Sequence, residues 1–281
     1  MPKRIKLTPF TALVIACAAI ILVGGIMLIT DRRTDARIAA DNARYRELRD
    51  ATVPPAQPTA TPVPTPDDGT VRIGLPTEPP RDENYAMLSA VNPDFCGWLR
   101  AGDIDLPVVH READNATYLT TSFSGEESIG GTLFVDGFNR LYPADTLTVI
   151  YGHNMKSGDM FGRLSRYSDP EYLLDHPILH FDTVFSPGRY VPFAAFTARA
   201  ADVDIRQFQP SVDEFNALVD LSLDLSAFDH GVDVRYGDTL LALVTCDGDN
   251  DDERFFLLCR ELRPGESEMD IAVMLDHLSE N

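Results

Sequence analysis

Short runs of β-branched and aromatic residues recur from residue 85 onward, and turn-forming residues separate them. These runs stand at residues 132–135, 146–151, 190–196, 239–245 and 254–262. Helical patterns are fewer: residues 211–225 begin with a Ser that can cap a helix, and a shorter helix is predicted for residues 170–174. Many strands without regular βαβ alternation predict a mainly β fold, an antiparallel-leaning barrel or sandwich with helical insertions.

The N-terminal region contains a long stretch without charged residues. Residues 10–29 have the length, about 20 residues, that an α-helix needs to cross the hydrocarbon core of a membrane. Basic residues precede the stretch, which favours a cytoplasmic tail at 1–9, a single transmembrane helix at 10–30 and an extracellular location for all later residues. A cleaved signal peptide and a lipoprotein signal at Cys17 are the alternatives, and the length of the apolar stretch argues against both.

Three further segments follow the predicted membrane helix. Residues 31–50 are rich in Ala, Arg and Glu and lack Gly and Pro, so they predict a helical stalk. Residues 51–80 are rich in Pro and Thr, a composition typical of an extended, semi-rigid linker. The composition of a compact domain extends over residues 81–265, and an acidic C-terminal tail is predicted for residues 266–281.

Net charge and cysteine content exclude several classes of function. The chain carries 24 Lys and Arg against 44 Asp and Glu, and its first 50 residues hold nine of the basic and five of the acidic side chains. The remaining residues therefore have a net charge of −24, which disfavours binding to nucleic acid. The four cysteines show no C-x-x-C spacing, so a zinc cluster is not expected, and their number excludes a disulfide-dense fold. No cofactor is expected.

One cysteine, Cys246, has the sequence surroundings of a reactive thiol. It ends an apolar run and precedes a polar loop, whereas Cys259 lies within a strand among apolar neighbours. Exposure near a cation lowers the pKa of a thiol, and burial makes a thiol inert. Cys246 is therefore the candidate nucleophile, although a cysteine at a strand end is more often structural.

A thiol that attacks an acyl carbon needs an acid for the leaving amine and a donor for the oxyanion. His153 ends an apolar run and Arg254 starts the strand after Cys246, so these two residues are the candidates. As alternatives, His153 could be a turn residue and Arg254 could neutralise the acids before it. The acidic run 247–253 suggests calcium, but Asp252 stands where an EF-hand needs Gly, so a solvated loop is the better interpretation.

Several segments together resemble a known family. IYGHNMKSGDMFGRL (150–164) and LVTCDGDNDDERF (243–255) are similar to the histidine and cysteine segments of class B sortases. Upstream segments match that class in the same order: NPDFCGWLR (92–100), LPVVH (106–110), DNATYL (114–119) and GTLFVDGFN (131–139). The resemblance extends from about residue 85 to residue 263.

The resemblance implies a sortase-type eight-stranded β-barrel with helical insertions, preceded by N-terminal helices, and a membrane-anchored cysteine transpeptidase of a Gram-positive bacterium. Such an enzyme cleaves the C-terminal sorting signal of a secreted protein after Thr, and class B implies a signal of the Asn-Pro-x-Thr type. The Thr is then joined to a cell-wall amine. The implied partners are secreted proteins with a sorting signal, a peptidoglycan precursor or cross-bridge amine, and the membrane.

Residue roles follow from the matched motifs. The resemblance implies that Cys246 is the nucleophile, that His153 is the general acid that later acts as base, and that Arg254 stabilises the oxyanion. The residues that it assigns to substrate binding are Thr245, Asn115, Leu119 and Ile205. Of these, Leu119 and Ile205 could instead be core residues. The family often has Ser where this chain has Val244, so a hydrogen bond to the substrate is lost at that position.

Three other functions use the same residues differently. A pilus-polymerising sortase is the first, although the lid motif and C-terminal membrane span usual in that group are not evident in the sequence. A hydrolytic cysteine peptidase is the second, and its product is a free acid where a transpeptidase makes an amine adduct. A non-catalytic wall-binding module is the third, and Cys246→Ala would leave its function intact.

Overall fold

The computed structural model describes residues 9–51, 81–246 and 252–280. Residues up to Ala43 form one unit and those from Arg44 onward form a second. Helix α1, Pro9–Asp50, is continuous over the residues predicted as membrane helix and stalk. Among the described residues, none of the helices combines the length and the apolar character that crossing a bilayer requires.

The structure describes two of the predicted N-terminal segments only in part. Within residues 10–30, the structure describes the backbone of the helix but the side chains of Val23 and Thr30 alone. Of the predicted linker, residues 52–80 lie outside the described part of the chain. The membrane helix and the extended linker therefore stay predictions.

Eight strands form a closed barrel in the order β1-β2-β3-β4-β7-β8-β6-β5. The strands are β1 Phe95–Ala101, β2 Ile104–Val109, β3 Leu133–Val135, β4 Leu147–His153, β5 Leu179–Thr183, β6 Arg189–Arg199, β7 Leu240–Cys246 and β8 Glu253–Glu261. The pairs β2–β3 and β4–β7 are parallel and the other six are antiparallel. The prediction of an antiparallel-leaning barrel with helical insertions is confirmed.

The helices of the second unit connect or cover these strands. They are α2 Ala86–Val91, α3 Pro170–Asp175, α4 Val212–Leu225 and α5 Glu268–Leu275. Both helices predicted from the sequence are present as α3 and α4. The predicted Ser cap of α4 is Ser211, whose hydroxyl accepts from the backbone N–H of Glu214 while the Glu214 carboxylate accepts from the backbone N–H of Ser211.

The last turns of α1 pack on the start of the barrel within the second unit. Tyr45 belongs to a buried hydrophobic cluster with Leu88 of α2 and with Phe95 and Trp98 of β1. The Arg49 guanidinium lies over the Trp98 ring, 4.7 Å from its centroid. The end of α1 and helix α2 thus precede the first strand, where the resemblance implies N-terminal helices.

The segment predicted as an acidic tail, residues 266–281, folds against the second unit. Ser267 and Asp270 form a capping box at the start of α5, and the two apolar residues on its inner side, Ile271 and Leu275, are fully buried. The acidic residues in the first turn of α5 take part in its cap or lie on its outer side. Burial of the two apolar side chains keeps the segment on the domain.

Candidate active site

Two predicted catalytic residues end neighbouring strands at the same rim of the barrel. Strands β4 and β7 are parallel, and the last pair in their register is His153 opposite Cys246. Neighbouring strands lie about 4.8 Å apart, so the two backbones are adjacent. The structure describes the backbone of Cys246, whereas its side chain and residues 247–251 lie outside the described part.

The third predicted residue, Arg254, lies on the next strand. In the antiparallel pair β7–β8, Val244 is opposite Phe256. Two residues further along each strand, towards the rim, stand Cys246 and Arg254. Because side chains alternate between the two faces of a strand, these residues share the face of Val244 and Phe256. The backbone therefore brings His153, Cys246 and Arg254 into one row across three neighbouring strands.

A cavity of about 410 Å³ lies beside this row. Its floor consists of Tyr151, Val244 and Phe256. Each of these residues lies two positions from the row on its own strand, and the three are paired with one another in the sheet. Its wall is the connection between β6 and α4, from Ala200 to Arg206, and Arg254 also lines it. The cavity therefore adjoins the end of the barrel where the row stands.

His153 is half-buried, and its ring is held by the backbone. The ring Nε2 lies 2.7 Å from the carbonyl oxygen of Leu119. A carbonyl oxygen can only accept a hydrogen bond, so Nε2 is the donor in this contact and carries a hydrogen. Nδ1 is then the ring atom that can exchange a proton with a substrate.

Arg254 presents a half-buried guanidinium to the cavity. Its Nη1 donates a long hydrogen bond of 3.4 Å to the backbone carbonyl of Glu253. A guanidinium stays charged at every physiological pH and offers several N–H donors in one plane. Arg254 can therefore hold an anionic oxygen that develops above the row.

The two buried cysteines differ from Cys246 in their surroundings. Cys96 on β1 and Cys259 on β8 are both free thiols. Burial raises the pKa of the Cys96 thiol and of the Cys259 thiol well above the ordinary value. Both thiols are buried, as the apolar surroundings of Cys259 in the sequence predict, and a buried, protonated thiol is a poor nucleophile.

The structure distributes the predicted substrate-binding residues unevenly. Ile205 is buried in the wall of the cavity, and Leu119 contacts His153 through its carbonyl. Thr245 is buried, and its hydroxyl accepts a hydrogen bond of 2.9 Å from the backbone N–H of Phe255. Asn115 is not among the residues that line this cavity; its side-chain oxygen accepts from the backbone N–H of Gly137 at 2.6 Å. The roles of these four residues in substrate binding stay predictions.

Sequence reasoning missed two groups that shape the cavity. Tyr151 stands two residues before His153, and its place on the same strand face could have identified it. Arg206 follows Ile205 and binds the buried carboxylate of Asp136. Nothing in the local pattern links residues 70 positions apart, so this ion pair had no signal in the sequence.

A second cavity lies elsewhere on the barrel. It has a volume of about 700 Å³ and is lined by residues around the end of β2, including His110, and around residues 137–142. It contains none of the predicted site residues. Within the described residues, no group of His, Cys, Asp and Glu side chains is arranged to hold a metal ion.

No protein-family model matches the chain. The sortase B of Listeria monocytogenes is 31% identical over 176 residues, which is 62% of this chain and 71% of that protein. The sortase B of Staphylococcus aureus is 26% identical over 165 residues, covering 58% of this chain and 67% of that protein.

Solved structures agree with these relatives. A complex of Staphylococcus aureus sortase B with substrate superposes with a TM-score of 0.61 at 23% identity, covering 65% of this chain and 86% of that one. Bacillus anthracis sortase B superposes with a TM-score of 0.59 at 26% identity, covering 66% and 90%. The fold and the relatives define a cysteine transpeptidase with a sortase barrel. The chain belongs to the sortase B family, so the resemblance to class B is confirmed.

Proposed function

We propose that the protein cleaves a sorting signal of the Asn-Pro-x-Thr type after Thr and joins the Thr to a cell-wall amine through a thioester on Cys246. The observation that carries this proposal is the row of His153, Cys246 and Arg254 at one rim of the barrel. A protein with the same fold, the sortase B of Staphylococcus aureus, was solved as a complex with its substrate.

In the first half-reaction, the Cys246 thiolate attacks the carbonyl carbon of Thr. A C–S bond forms and the carbonyl electrons move to oxygen, where the Arg254 guanidinium stabilises the anion. The anion collapses, the C–N bond to the next residue breaks, and the leaving amine takes a proton from Nδ1 of the His153 imidazolium. The products are a thioester and the released C-terminal peptide.

In the second half-reaction, the acceptor amine attacks the thioester carbonyl. Neutral His153 takes the proton that the amine loses, a C–N bond forms, and the C–S bond breaks to regenerate the thiolate. Water in place of the amine gives a free acid.

The test is product analysis with the full-length chain in detergent. Peptides with a Pro-x-Thr core are incubated with candidate amines, and mass spectrometry identifies the products. The proposal predicts an amine adduct at the Thr, and Cys246→Ala abolishes it whereas the matched variant Cys96→Ala retains it. Free acid as the sole product in the presence of amine would instead show a hydrolytic peptidase, and no cleavage by the wild-type chain would overturn the proposal.

We propose further that residues 10–30 anchor the protein in the membrane with the N-terminus inside and the catalytic domain outside the cell. The support is the uncharged stretch and the basic residues that precede it. Extraction of cell membranes at alkaline pH tests the anchor: the full chain should stay with the lipid, and a chain without residues 10–30 should not. Release of the full chain by the same treatment would contradict the anchor.

A further inference from the structure

One buried carboxylate at the edge of the cavity organises groups from three segments. Asp136 follows β3 and is fully buried. Its Oδ2 accepts from the Tyr151 hydroxyl at 3.1 Å and lies 3.0 Å from Nε of Arg206. Its Oδ1 accepts from Nη2 of Arg206 at 3.3 Å and from the backbone N–H of Phe138 at 3.0 Å. The carboxylate therefore links the floor of the cavity to its wall.

Arg206 is the last residue of that wall. Its side chain is 51% exposed, and its guanidinium lies over the Phe138 ring, 5.1 Å from the centroid. Two residues shortly after Arg206 form hydrogen bonds farther from the cavity. The Phe208 carbonyl accepts from the backbone N–H of Leu147 at the start of β4, and the Gln209 side chain donates to the Asp145 carboxylate. The Arg206–Asp136 ion pair thus connects the wall to the barrel beside the cavity. Ile205, the predicted groove residue, directly precedes Arg206.

Gly137, the residue after Asp136, forms hydrogen bonds with the loop that contains Ala113 and Asn115. The backbone N–H of Gly137 donates to the Asn115 side chain, and its carbonyl accepts from the backbone N–H of Ala113 at 2.7 Å. A Cβ at position 137 would lie 2.5 Å from the backbone nitrogen of Asp114, so only Gly allows this approach. Residues 136 and 137 together fix the loop that leads to Leu119 and the wall that carries Ile205.

We propose that the Asp136–Arg206 ion pair positions the cavity wall and so sets the fit of the sorting signal in its groove. This inference rests on the proposed function, because it assigns the cavity to the signal peptide. Asp136 and Arg206 are positioning residues: they act through Tyr151 and Ile205 and take no part in bond making. A charge-assisted hydrogen bond to a buried carboxylate suits this role, since it fixes both distance and direction.

The ion pair is tested by acylation kinetics with the full-length chain in detergent. The variants are Arg206→Gln, Asp136→Asn, the double variant and the conservative Arg206→Lys. The matched control is Arg199→Gln, which breaks the exposed Arg199–Asp202 pair at the other end of the same segment. The measured quantities are kcat/KM for the sorting peptide and the rate of Cys246 alkylation by iodoacetamide.

We expect Arg206→Gln and Asp136→Asn each to lower kcat/KM for the peptide by at least about fivefold, because misplaced binding groups lose productive geometry. The double variant should lose no more than either single variant, Arg206→Lys should recover part of the loss, and Arg199→Gln should resemble the wild type. The alkylation rate should be unchanged throughout, since the thiol itself is not altered.

Two results would overturn the inference. The first is Arg206→Gln with the same kcat/KM as Arg199→Gln, and the second is a double variant whose loss is the product of the single losses. Asp136 is buried, so Asp136→Asn could fail to fold; in that case the exposed position, Arg206, still decides the outcome. A wild-type chain that forms no thioester would overturn the proposed function and this inference with it.

Discussion

At the scale of single residues, the proposed chemistry depends on how three side chains are presented at the rim. The Leu119 carbonyl fixes the tautomer of His153 by accepting from Nε2, which leaves Nδ1 for proton transfer. Burial keeps Cys96 and Cys259 protonated, so neither competes as a nucleophile. Among the three cysteines of the barrel, strand position thus separates the proposed nucleophile from the buried thiols: Cys246 ends a strand, whereas Cys96 and Cys259 lie within strands.

The planar guanidinium of Arg254 is expected to matter beyond its charge. Arg254→Ala should lower kcat by about 100-fold or more, the usual effect of removing an oxyanion donor. Arg254→Lys keeps the charge but not the planar set of donors, so it should recover only part of the loss. Steady-state kinetics with a sorting peptide measure both variants, with Arg199→Lys as the exposed control. Full activity of Arg254→Lys would show that charge alone is sufficient.

His230 predicts how stability depends on pH. It is fully buried, and its Nε2 has no hydrogen-bond partner among the described residues. Burial lowers its pKa to about 4, below the ordinary value of 6.5. Between pH 6.5 and pH 4, the His230 side chain therefore binds a proton more readily in the unfolded chain than in the folded one. Its contribution to the unfolding free energy is complete above about pH 6.5 and is lost as the pH falls towards 4.

The measurement is urea unfolding of the full chain at pH 7 and at pH 4.5. The His230 contribution to the loss of unfolding free energy should be about 2–3 kcal/mol. His230→Asn has no titrating group, so the difference between the two pH values should shrink by this amount in the variant. Carboxylates contribute equally to both proteins and cancel in the comparison. An identical pH dependence of the two proteins would contradict the burial of a neutral imidazole.

At the scale of elements, the sequence predicted the strands that carry the site more reliably than it predicted their pairing. Apolar runs located β4, β7 and β8 to within one or two residues, because each run is long and bounded by polar residues. The parallel pairing of β4 with β7 had no sequence signal of its own, since residues 154–239 separate the two strands. That pairing is what places His153 beside Cys246.

The missed helix α5 shows a different limit. Ser267 and Asp270 have the spacing of a capping box, but the acidic composition of residues 266–281 outweighed this short signal. Ile271→Ala should lower the unfolding free energy by about 2–5 kcal/mol, since it removes fully buried methyl groups.

The same helix provides the control for that prediction. Val273 is 71% exposed on its outer side, so Val273→Ala should change the unfolding free energy by no more than about 0.5 kcal/mol. Denaturant unfolding of both variants measures the difference. If both substitutions changed the unfolding free energy by the same small amount, α5 would not stabilise the domain and would behave as the tail that the sequence predicted.

At the scale of the whole molecule, the prediction of a class B sortase depended on the order of several motifs along the chain. The proposed catalytic residues His153 and Cys246 could be named in this way because they lie in contiguous segments, IYGHNM and LVTC. The Asp136–Arg206 pair could not, because its members are 70 residues apart and each looks like an ordinary surface charge in the sequence. Topology alone reveals that one of the two is buried.

The central claim is that a cysteine at the rim of the barrel, aligned with a histidine and an arginine, carries the acyl group. Acid quenching of the full chain with a sorting peptide, followed by proteolysis and tandem mass spectrometry, locates that group directly. The account predicts a mass increase equal to the peptide up to its Thr, on Cys246 and on no other cysteine. An acyl group on Cys96 or Cys259, or product formation by a Cys246→Ala chain, would contradict it.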